Sequence, residues 1–439
     1  MYKEMSKELL TFIKKSPSCF HAVRTIAEML KEAGFQELKE CDAWSLQQGG
    51  KYFTTRNQSS VIAFTIGKEL DDYHFQISAS HSDSPTFKIK EKAELKGKGG
   101  YLQLNTEGYG GMICSTWMDR PLSIAGRVLV KEGNAIVSKL ISFDKDLVLI
   151  PNVAIHMQRN VNDGMAFNKQ VDMLPLFSAG ECEEGDFARL LADELGCAPE
   201  DICGSDLFLV NRNEPCIWGT KEEFISSAKL DDLQCAFTSL KAMMQSENPH
   251  AINVYACFDN EEVGSGTKQG ALSTFLADVL GRINENLGFT QEELRRAIAK
   301  SFMVSCDNAH AVHPNHPEKT DATNCTYMNQ GIVIKYSANQ KYTTDGISSA
   351  VFSDLCKRAG VPVQYFANRS DMVGGSTLGN LSNQHVSLHT VDIGLPQLAM
   401  HSAYETAGIK DSAYMVQALS AFYKVNLHIT DSDVIEVQD

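Results

Sequence analysis

The sequence lacks any apolar run close to the roughly 20 residues that a membrane-spanning helix needs. Its first ten residues carry mixed charge and do not contain the continuous apolar stretch of a signal peptide. None of the 12 cysteines forms a CxxC pair, and several have apolar neighbours, which is typical of buried reduced thiols. These absences predict a soluble protein of the reducing cytoplasm, with no membrane partner.

Positive charge is also scarce. There are 40 Lys and Arg against 55 Asp and Glu, a formal net charge of −15. A broad cationic surface is what nucleic-acid binding normally requires, so nucleic acid is excluded as an expected partner. The 43% hydrophobic and 22% charged residues are close to the globular average. At about 150 residues per domain, 439 residues correspond to two or three domains.

The pattern along the chain predicts one discontinuous domain and one insert. Two amphipathic helices open the chain, and β-rich runs follow from Ser59. Residues 92–226 contain many short β-like segments between turn residues, so we expect an inserted β-rich domain there. Strands and helices alternate again after Ser226, which predicts an α/β domain formed by 1–91 and 227–439. Its expected fold is a mixed central sheet flanked by helices.

Residues able to bind a metal stand directly after apolar strands or beside short polar turns. They are His81, Asp231, the adjacent pair Glu261 and Glu262, Asp307 and His401. Functional groups gather at the carboxyl ends of strands in open α/β sheets, so positions distant in sequence can converge. Imidazoles and carboxylates are a usual ligand set for zinc, and one carboxylate can bridge two ions. This composition suits a two-metal hydrolase, whereas solvent-exposed carboxylates are the alternative for an isolated Glu-Glu pair.

The strings around these residues resemble the aspartyl aminopeptidase family of co-catalytic zinc aminopeptidases, which has bacterial members. The resemblance covers the chain from the first helices to the last, with the motifs in the same order. They are His81-Ser-Asp-Ser-Pro85, Lys229-Leu-Asp-Asp-Leu233, Asp259-Asn-Glu-Glu-Val-Gly-Ser265, Asp307-Asn-Ala-His-Ala-Val-His-Pro-Asn315 and Gln397-Leu-Ala-Met-His-Ser402.

The resemblance implies a role for each matching residue and two zinc ions, for which cobalt or manganese could substitute. The implied metal ligands are His81, Asp231 as the bridge, Glu262, Asp307 and His401. Glu261 would be the general base and Asp83 would orient His81. The residues alone do not decide between Asp231 and Asp232 as the bridge, because hydrogen bonding at a helix start is an alternative for either.

Further positions follow from the same resemblance. His156, inside the insert, would reach a neighbouring subunit's active site and stabilise the oxyanion of the tetrahedral intermediate. The insert would supply dimer contacts, within a tetrahedral dodecamer built from dimers. Lys335, Gly375 and Ser376 would contact the substrate, with a strand-to-helix turn as the alternative for the glycines. His310 and His313 are expected to shape the pocket or to hydrogen-bond neighbouring carbonyl groups.

The function that follows is a metalloaminopeptidase that removes acidic or neutral N-terminal residues from peptides. One alternative keeps the metals and changes the substrate, as in a related zinc deacylase or carboxypeptidase. Another is a noncatalytic metal-binding oligomeric scaffold, which an intact Glu261 beside a complete ligand set opposes.

Overall fold

A computed structural model describes residues 1–431 and 433–438. The chain divides into two compact units. The first comprises Met1–Asp83, Pro215–Met400 and Glu405–Asp439, and the second comprises Ser84–Glu214 and His401–Tyr404. The second unit overlaps the predicted insert, 92–226, and begins and ends earlier in the chain.

The amino-terminal part of the first unit starts with two helices whose apolar faces are buried. Four strands follow, and the last of them is buried along its whole length. The elements are α1 (Tyr2–Lys14), α2 (Cys19–Glu32), β1 (Gln36–Leu38), β2 (Lys51–Arg56), β3 (Ser60–Ile66) and β4 (Phe75–His81).

The second unit is mainly β-structure around its own apolar core. Its elements are β5 (Thr86–Lys96), β6 (Tyr101–Tyr109), β7 (Pro121–Glu132), β8 (Ala135–Ser142), β9 (Val148–Leu149), α3 (Lys169–Asp172), β10 (Leu176–Ala179), α4 (Asp186–Leu195) and β11 (Ile202–Asn211). The strands form a sheet in the order β11-β5-β6-β10-β9-β7-β8, and β11 also pairs with β7.

The carboxyl-terminal part of the first unit alternates strands and helices, as the sequence predicts. It contains β12 (Cys216–Trp218), β13 (Phe224–Ser227), α5 (Leu230–Met244), β14 (Ile252–Phe258), α6 (Phe275–Asn286), α7 (Gln291–Ala299), β15 (Phe302–Cys306), β16 (Ala309–His310), β17 (Ile332–Tyr336), α8 (Gly346–Arg358), β18 (Val363–Ala367), α9 (Leu378–Ser382), β19 (His389–Gly394), β20 (Pro396–Leu398), β21 (Glu405–Gly408), α10 (Asp411–Lys424), β22 (Asn426–Asp431) and β23 (Val434–Gln438).

The central sheet of the first unit has the order β1-β2-β3-β14-β4-β15-β19-β17-β18. Strand β4 lies between β14 and β15 and is parallel to both. Successive side chains of a strand point to opposite faces. Accordingly, Tyr255 and Cys257 of β14 join the core under α1, α2, α5, α8 and α10, whereas Val254, Ala256 and Phe258 join the core under α6 and α7. Burial on both faces explains why these strands are nearly continuous apolar runs.

The predicted fold class, a mixed sheet flanked by helices beside a β-rich insert, is confirmed. Two features were not predicted: the paired strands β5 and β6, and the hairpin of β22 and β23. Within the described residues, no helix combines the length and apolar character that crossing a membrane requires.

Candidate metal centre

Three neighbouring strands end at one edge of the central sheet. β4 ends at His81, β14 is followed by Asp259–Glu262, and β15 is followed directly by Asp307. The register pairs Phe258 with His81, so the two strands end side by side. Because β14, β4 and β15 are parallel, their carboxyl ends carry these polar groups to the same place.

His81 presents its two ring nitrogens to different partners. Nδ1 lies 3.1 Å from the main-chain oxygen and 3.3 Å from Oδ1 of Asp83. Both partners are acceptors, so Nδ1 donates its proton to Asp83. Nε2 faces the other way, 3.5 Å from Oδ1 of Asp231 and 4.0 Å from Oε2 of Glu261. This orientation leaves Nε2 as the nitrogen able to bind a metal.

Asp83 also fixes the backbone that carries the two glutamates. Its carboxylate accepts the main-chain N–H of Glu261 at Oδ1 and that of Glu262 at Oδ2, each at 3.2 Å. Residues Glu261–Val263 form a single 3₁₀ turn after Asn260, which has a left-handed φ of 63°. The sharp turn places both carboxylates beside the strand ends.

Asp231 and Asp232 stand at the start of α5, joined by a cis peptide bond. Their side chains have different partners. Oδ2 of Asp232 accepts the main-chain N–H of His81 at 3.0 Å, whereas the Asp231 carboxylate faces the His81 ring. The main-chain N–H of Asp231 donates to Oε2 of Glu405 at 3.0 Å.

Asp307 is supported by a buried cation. Nζ of Lys335 donates to the main-chain oxygens of Asp307 at 2.8 Å and Asn308 at 3.3 Å, and lies 3.7 Å from Oδ2 of Asp307. Lys335 is only 2% exposed. Burial alone would lower its pKa, but the carboxylates of Asp307 and Asp392 and the hydroxyl of Tyr342 raise it, so the side chain is charged.

Potential ligand atoms of these residues lie within 4.8 Å of one another in two overlapping groups. One group is His81, Asp231, Asp232 and Asp307, and the other is His81, Glu261 and Glu262.

The electrostatics of these groups favour a bound cation. Burial, reinforced by neighbouring carboxylates, raises the pKa of Asp232, Glu262 and Asp307, and raises that of Glu261 to about 8. A divalent cation among these oxygens would offset both burial and repulsion. The donors present therefore fit a zinc ion, whose usual protein ligands include imidazole and carboxylate.

The other predicted site residues are distributed over both units. His401 belongs to the second unit, where its Nδ1 is 3.0 Å from the main-chain oxygen of Gly111. His156 is exposed in a turn of the same unit. Gly375 lines a cavity of about 550 Å³ in the first unit together with His310 and His313.

Ser376 is exposed, and its hydroxyl lies near the oxygens of Lys341 and Asn380.

The model of the aminopeptidase I zinc metalloprotease family, M18, matches residues 12–423. The chain belongs to the M18 family of zinc aminopeptidases. The resemblance in the strand-end motifs is therefore confirmed, and the protein is a zinc-dependent metalloaminopeptidase.

Similar proteins cover nearly the whole chain. Probable M18 family aminopeptidase 2 of Clostridium novyi (strain NT) is 47% identical over 428 residues, covering 96% of this chain and 99% of that protein. A chain of the Ape4 and Nbr1 complex, solved by cryo-electron microscopy, superposes with a TM-score of 0.93 at 37% identity, covering 96% of this chain and 86% of that one. A chain of the S. cerevisiae mApe1 dodecamer superposes with a TM-score of 0.85 at 27% identity, covering 96% of this chain and 97% of that one.

Three polar residues beside the metal centre of this M18 aminopeptidase were not singled out from the sequence: Asn308, Gln397 and Glu405. All are buried. Asn308 and Gln397 lie inside quoted motifs, and Glu405 follows His401 by four positions. Their position next to predicted ligands is the signal that could have found them.

Replacing Asp83 by Ala should weaken metal binding about 10- to 100-fold, the usual cost of removing a group that orients a ligand. The physical reason is that His81 keeps only the main-chain oxygen of residue 83 as a partner for Nδ1, while the main-chain N–H groups of Glu261 and Glu262 lose both carboxylate acceptors. Zinc retention against a competing chelator measures the effect.

Asp345→Ala is the matched control. Asp345 also accepts a main-chain N–H, from Ser348 at 2.8 Å, but it caps α8. Its replacement by Ala should lower the free energy of unfolding by about 1 kcal/mol and leave zinc retention unchanged. Equal zinc retention in Asp83→Ala and wild type would contradict the orienting role.

Proposed function

We propose that this aminopeptidase binds two zinc ions through His81, Asp231, Glu262, Asp307 and His401, with Asp231 as the bridge. The observation that carries the proposal is the joint approach of Asp231 and Glu261 to Nε2 of His81. Support for Asp231 rather than Asp232 comes from their contacts, since Oδ2 of Asp232 accepts the main-chain N–H of His81 and the Asp231 carboxylate faces the His81 ring. His401 is included on the resemblance of its segment. Cobalt or manganese could replace zinc at such a ligand set.

Glu261 is the proposed general base, and the metal ions, when bound, supply the Lewis acidity that activates water and the scissile carbonyl at neutral pH. Glu261 accepts a proton from the attacking water and delivers it to the leaving amine. The main-chain bond to Asp83 supports this role, because it holds the Glu261 turn beside His81.

The proposed substrates are peptides with an acidic or neutral N-terminal residue. The cavity beside Gly375 supports a peptide site, because its lining combines apolar side chains such as Met372 and Leu398 with the cations Lys319 and Arg369. Lys335 and Ser376 remain predicted substrate contacts. For Lys335, the bonds to the main chain at Asp307 and Asn308 add a second role, holding that loop.

We further propose a cytoplasmic homo-oligomer, assembled from dimers as a tetrahedral dodecamer, in which the insert forms dimer contacts. The dodecamer of S. cerevisiae mApe1 supports this assembly. His156, exposed in its turn, would then stabilise the oxyanion in a neighbouring subunit's active site.

Glu261→Gln should keep its zinc and lose about 10²- to 10⁴-fold in kcat, because the change removes the base and spares the ligands. Metal analysis and steady-state kinetics on the same preparation check both halves. Glu292→Gln, at an exposed position of α7, is the control and should match wild type. Undiminished turnover with full zinc would rule out Glu261 as the base.

His156→Ala should fold, bind zinc and assemble normally, yet lose about 10²- to 10³-fold in kcat, the cost of one lost oxyanion donor. Mixing this variant with Glu261→Gln subunits provides a sharper measurement. If His156 acts in a neighbouring site, mixed oligomers recover part of the activity that each variant lacks. His250→Ala, another exposed histidine, serves as the control. No recovery would argue against action between subunits.

A panel of chromogenic aminoacyl substrates, with acidic, neutral and basic residues, tests the proposed function as a whole. Acidic or neutral substrates should be cleaved, cleavage should stop with chelator, and restoring zinc, cobalt or manganese should recover it. N-acyl amino acids and C-terminal reporter peptides test the deacylase and carboxypeptidase alternatives. Their hydrolysis without aminopeptidase activity would overturn the proposal, and inactivity on every substrate would favour a scaffold.

A further inference from the structure

Glu405 is a buried carboxylate that the proposed mechanism does not use. It is the first residue of β21, where it pairs with Ser227 of β13, and it is only 2% exposed. A buried carboxylate is costly unless its oxygens accept hydrogen bonds. Oε2 of Glu405 accepts the main-chain N–H of Asp231 at 3.0 Å. The first N–H groups of a helix lack partners within the helix, so Glu405 provides an acceptor for the start of α5 from 174 residues away.

The other oxygen of Glu405 extends this contact towards Asp307. Nε2 of Gln397 donates to Oε1 of Glu405 at 3.5 Å, and Oε1 of Gln397 accepts from Nδ2 of Asn308 at 2.9 Å. Asn308 follows Asp307 directly. Gln397 and Asn308 are buried, so these hydrogen bonds are shielded from competing water.

The hydrogen bonds therefore join two metal-binding segments that come from different elements. Asp231 starts α5, whereas Asp307 follows β15. Nδ2 of Asn308 also donates to the main-chain oxygen of Leu230 at 3.0 Å. Leu230 directly precedes Asp231, so Asn308 contacts the Asp231 segment as well. An Asp231 that bridges two ions must keep its distance to ligands on both sides, and the metal affinity depends on how well that spacing is held before binding.

We propose that Glu405 is a positioning residue for the metal centre: through the main-chain N–H of Asp231 and the side chains of Gln397 and Asn308, it fixes the spacing between Asp231 and Asp307. This inference rests on the proposed function, because it assumes that Asp231 and Asp307 bind metal. In this assignment Glu405 itself is neither a metal ligand nor the catalytic base.

The test measures zinc affinity of the full-length protein by competition with a chelator for wild type, Glu405→Gln and Glu405→Ala. We expect Glu405→Ala to bind zinc about 10- to 100-fold more weakly, and Glu405→Gln less severely, because an amide oxygen can still accept the Asp231 N–H. With saturating zinc, kcat should recover and KM should stay within about twofold of wild type. Gln397→Ala should reproduce part of the loss in affinity.

Asp411→Asn is the matched control. Asp411 is also a buried carboxylate that accepts two main-chain N–H groups, from Asn329 at 2.6 Å and Gly331 at 3.1 Å. Its replacement should lower the Tm of the zinc-free protein without changing zinc affinity. A purely structural Glu405 would behave in the same way.

The outcomes separate this inference from the function on which it rests. Wild-type zinc affinity in the Glu405 and Gln397 variants would overturn the positioning role while leaving the zinc enzyme intact. Failure of wild type to bind zinc would instead overturn the proposed function. If Glu405→Ala does not fold, Glu405→Gln and Gln397→Ala decide the question.

Discussion

The parallel pairing of β14, β4 and β15 is the constraint on which the metal centre depends. Hydrogen bonds along β4 fix where both neighbours end, and the register sets Phe258 beside His81. Since the cores on the two sides of the sheet use alternate residues of β14, a shift of one residue would turn apolar side chains out of both. The packing that stabilises the sheet therefore also sets the positions of His81, the Glu261–Glu262 turn and Asp307.

This placement concentrates negative charge at a buried edge of the sheet, and that charge shifts the pKa values of the surrounding residues. The pKa of His81 would fall on burial alone, but Asp232, Asp231 and Asp83 raise it well above its usual value. The Lys335 ammonium, 3.7 Å from Oδ2 of Asp307, partly offsets the charge of that carboxylate. These two cations do not neutralise all the carboxylates of the cluster, and the raised pKa values of Asp232, Glu262 and Asp307 reflect burial first and then the remaining repulsion. Protons and metal ions compete for such groups. The folded chain therefore holds excess negative charge that a divalent cation would neutralise.

Local patterns revealed much of the fold from the sequence, because buried strands and amphipathic helices leave periodic signals. The two amphipathic helices predicted at the start of the chain correspond to α1 and α2, and the β-rich runs predicted from Ser59 correspond to β3 and β4. Strand β5 was missed since its second half is rich in charged residues and largely exposed. The contacts of Glu405 could not be predicted, because a hydrogen bond to a residue 174 positions away leaves no periodic trace. The same holds for Lys335, whose burial depends on the fold around it.

In the two pairs of adjacent acidic residues, the sequence alone does not assign different roles to the two members, whereas the structure gives them different contacts. Asp231 and Asp232 are chemically identical neighbours, yet one faces the His81 ring and the other accepts the His81 main-chain N–H. Glu261 and Glu262 differ from that pair, since both main-chain N–H groups bind Asp83 and a carboxylate oxygen of each lies within 4.8 Å of His81. In each pair a carboxylate distant in sequence holds the backbone: Glu405 accepts the N–H of Asp231, and Asp83 accepts those of Glu261 and Glu262. Two adjacent glutamates separate the proposed metal ligand, Glu262, from the proposed base, Glu261, because a metal ligand cannot also serve freely as a base.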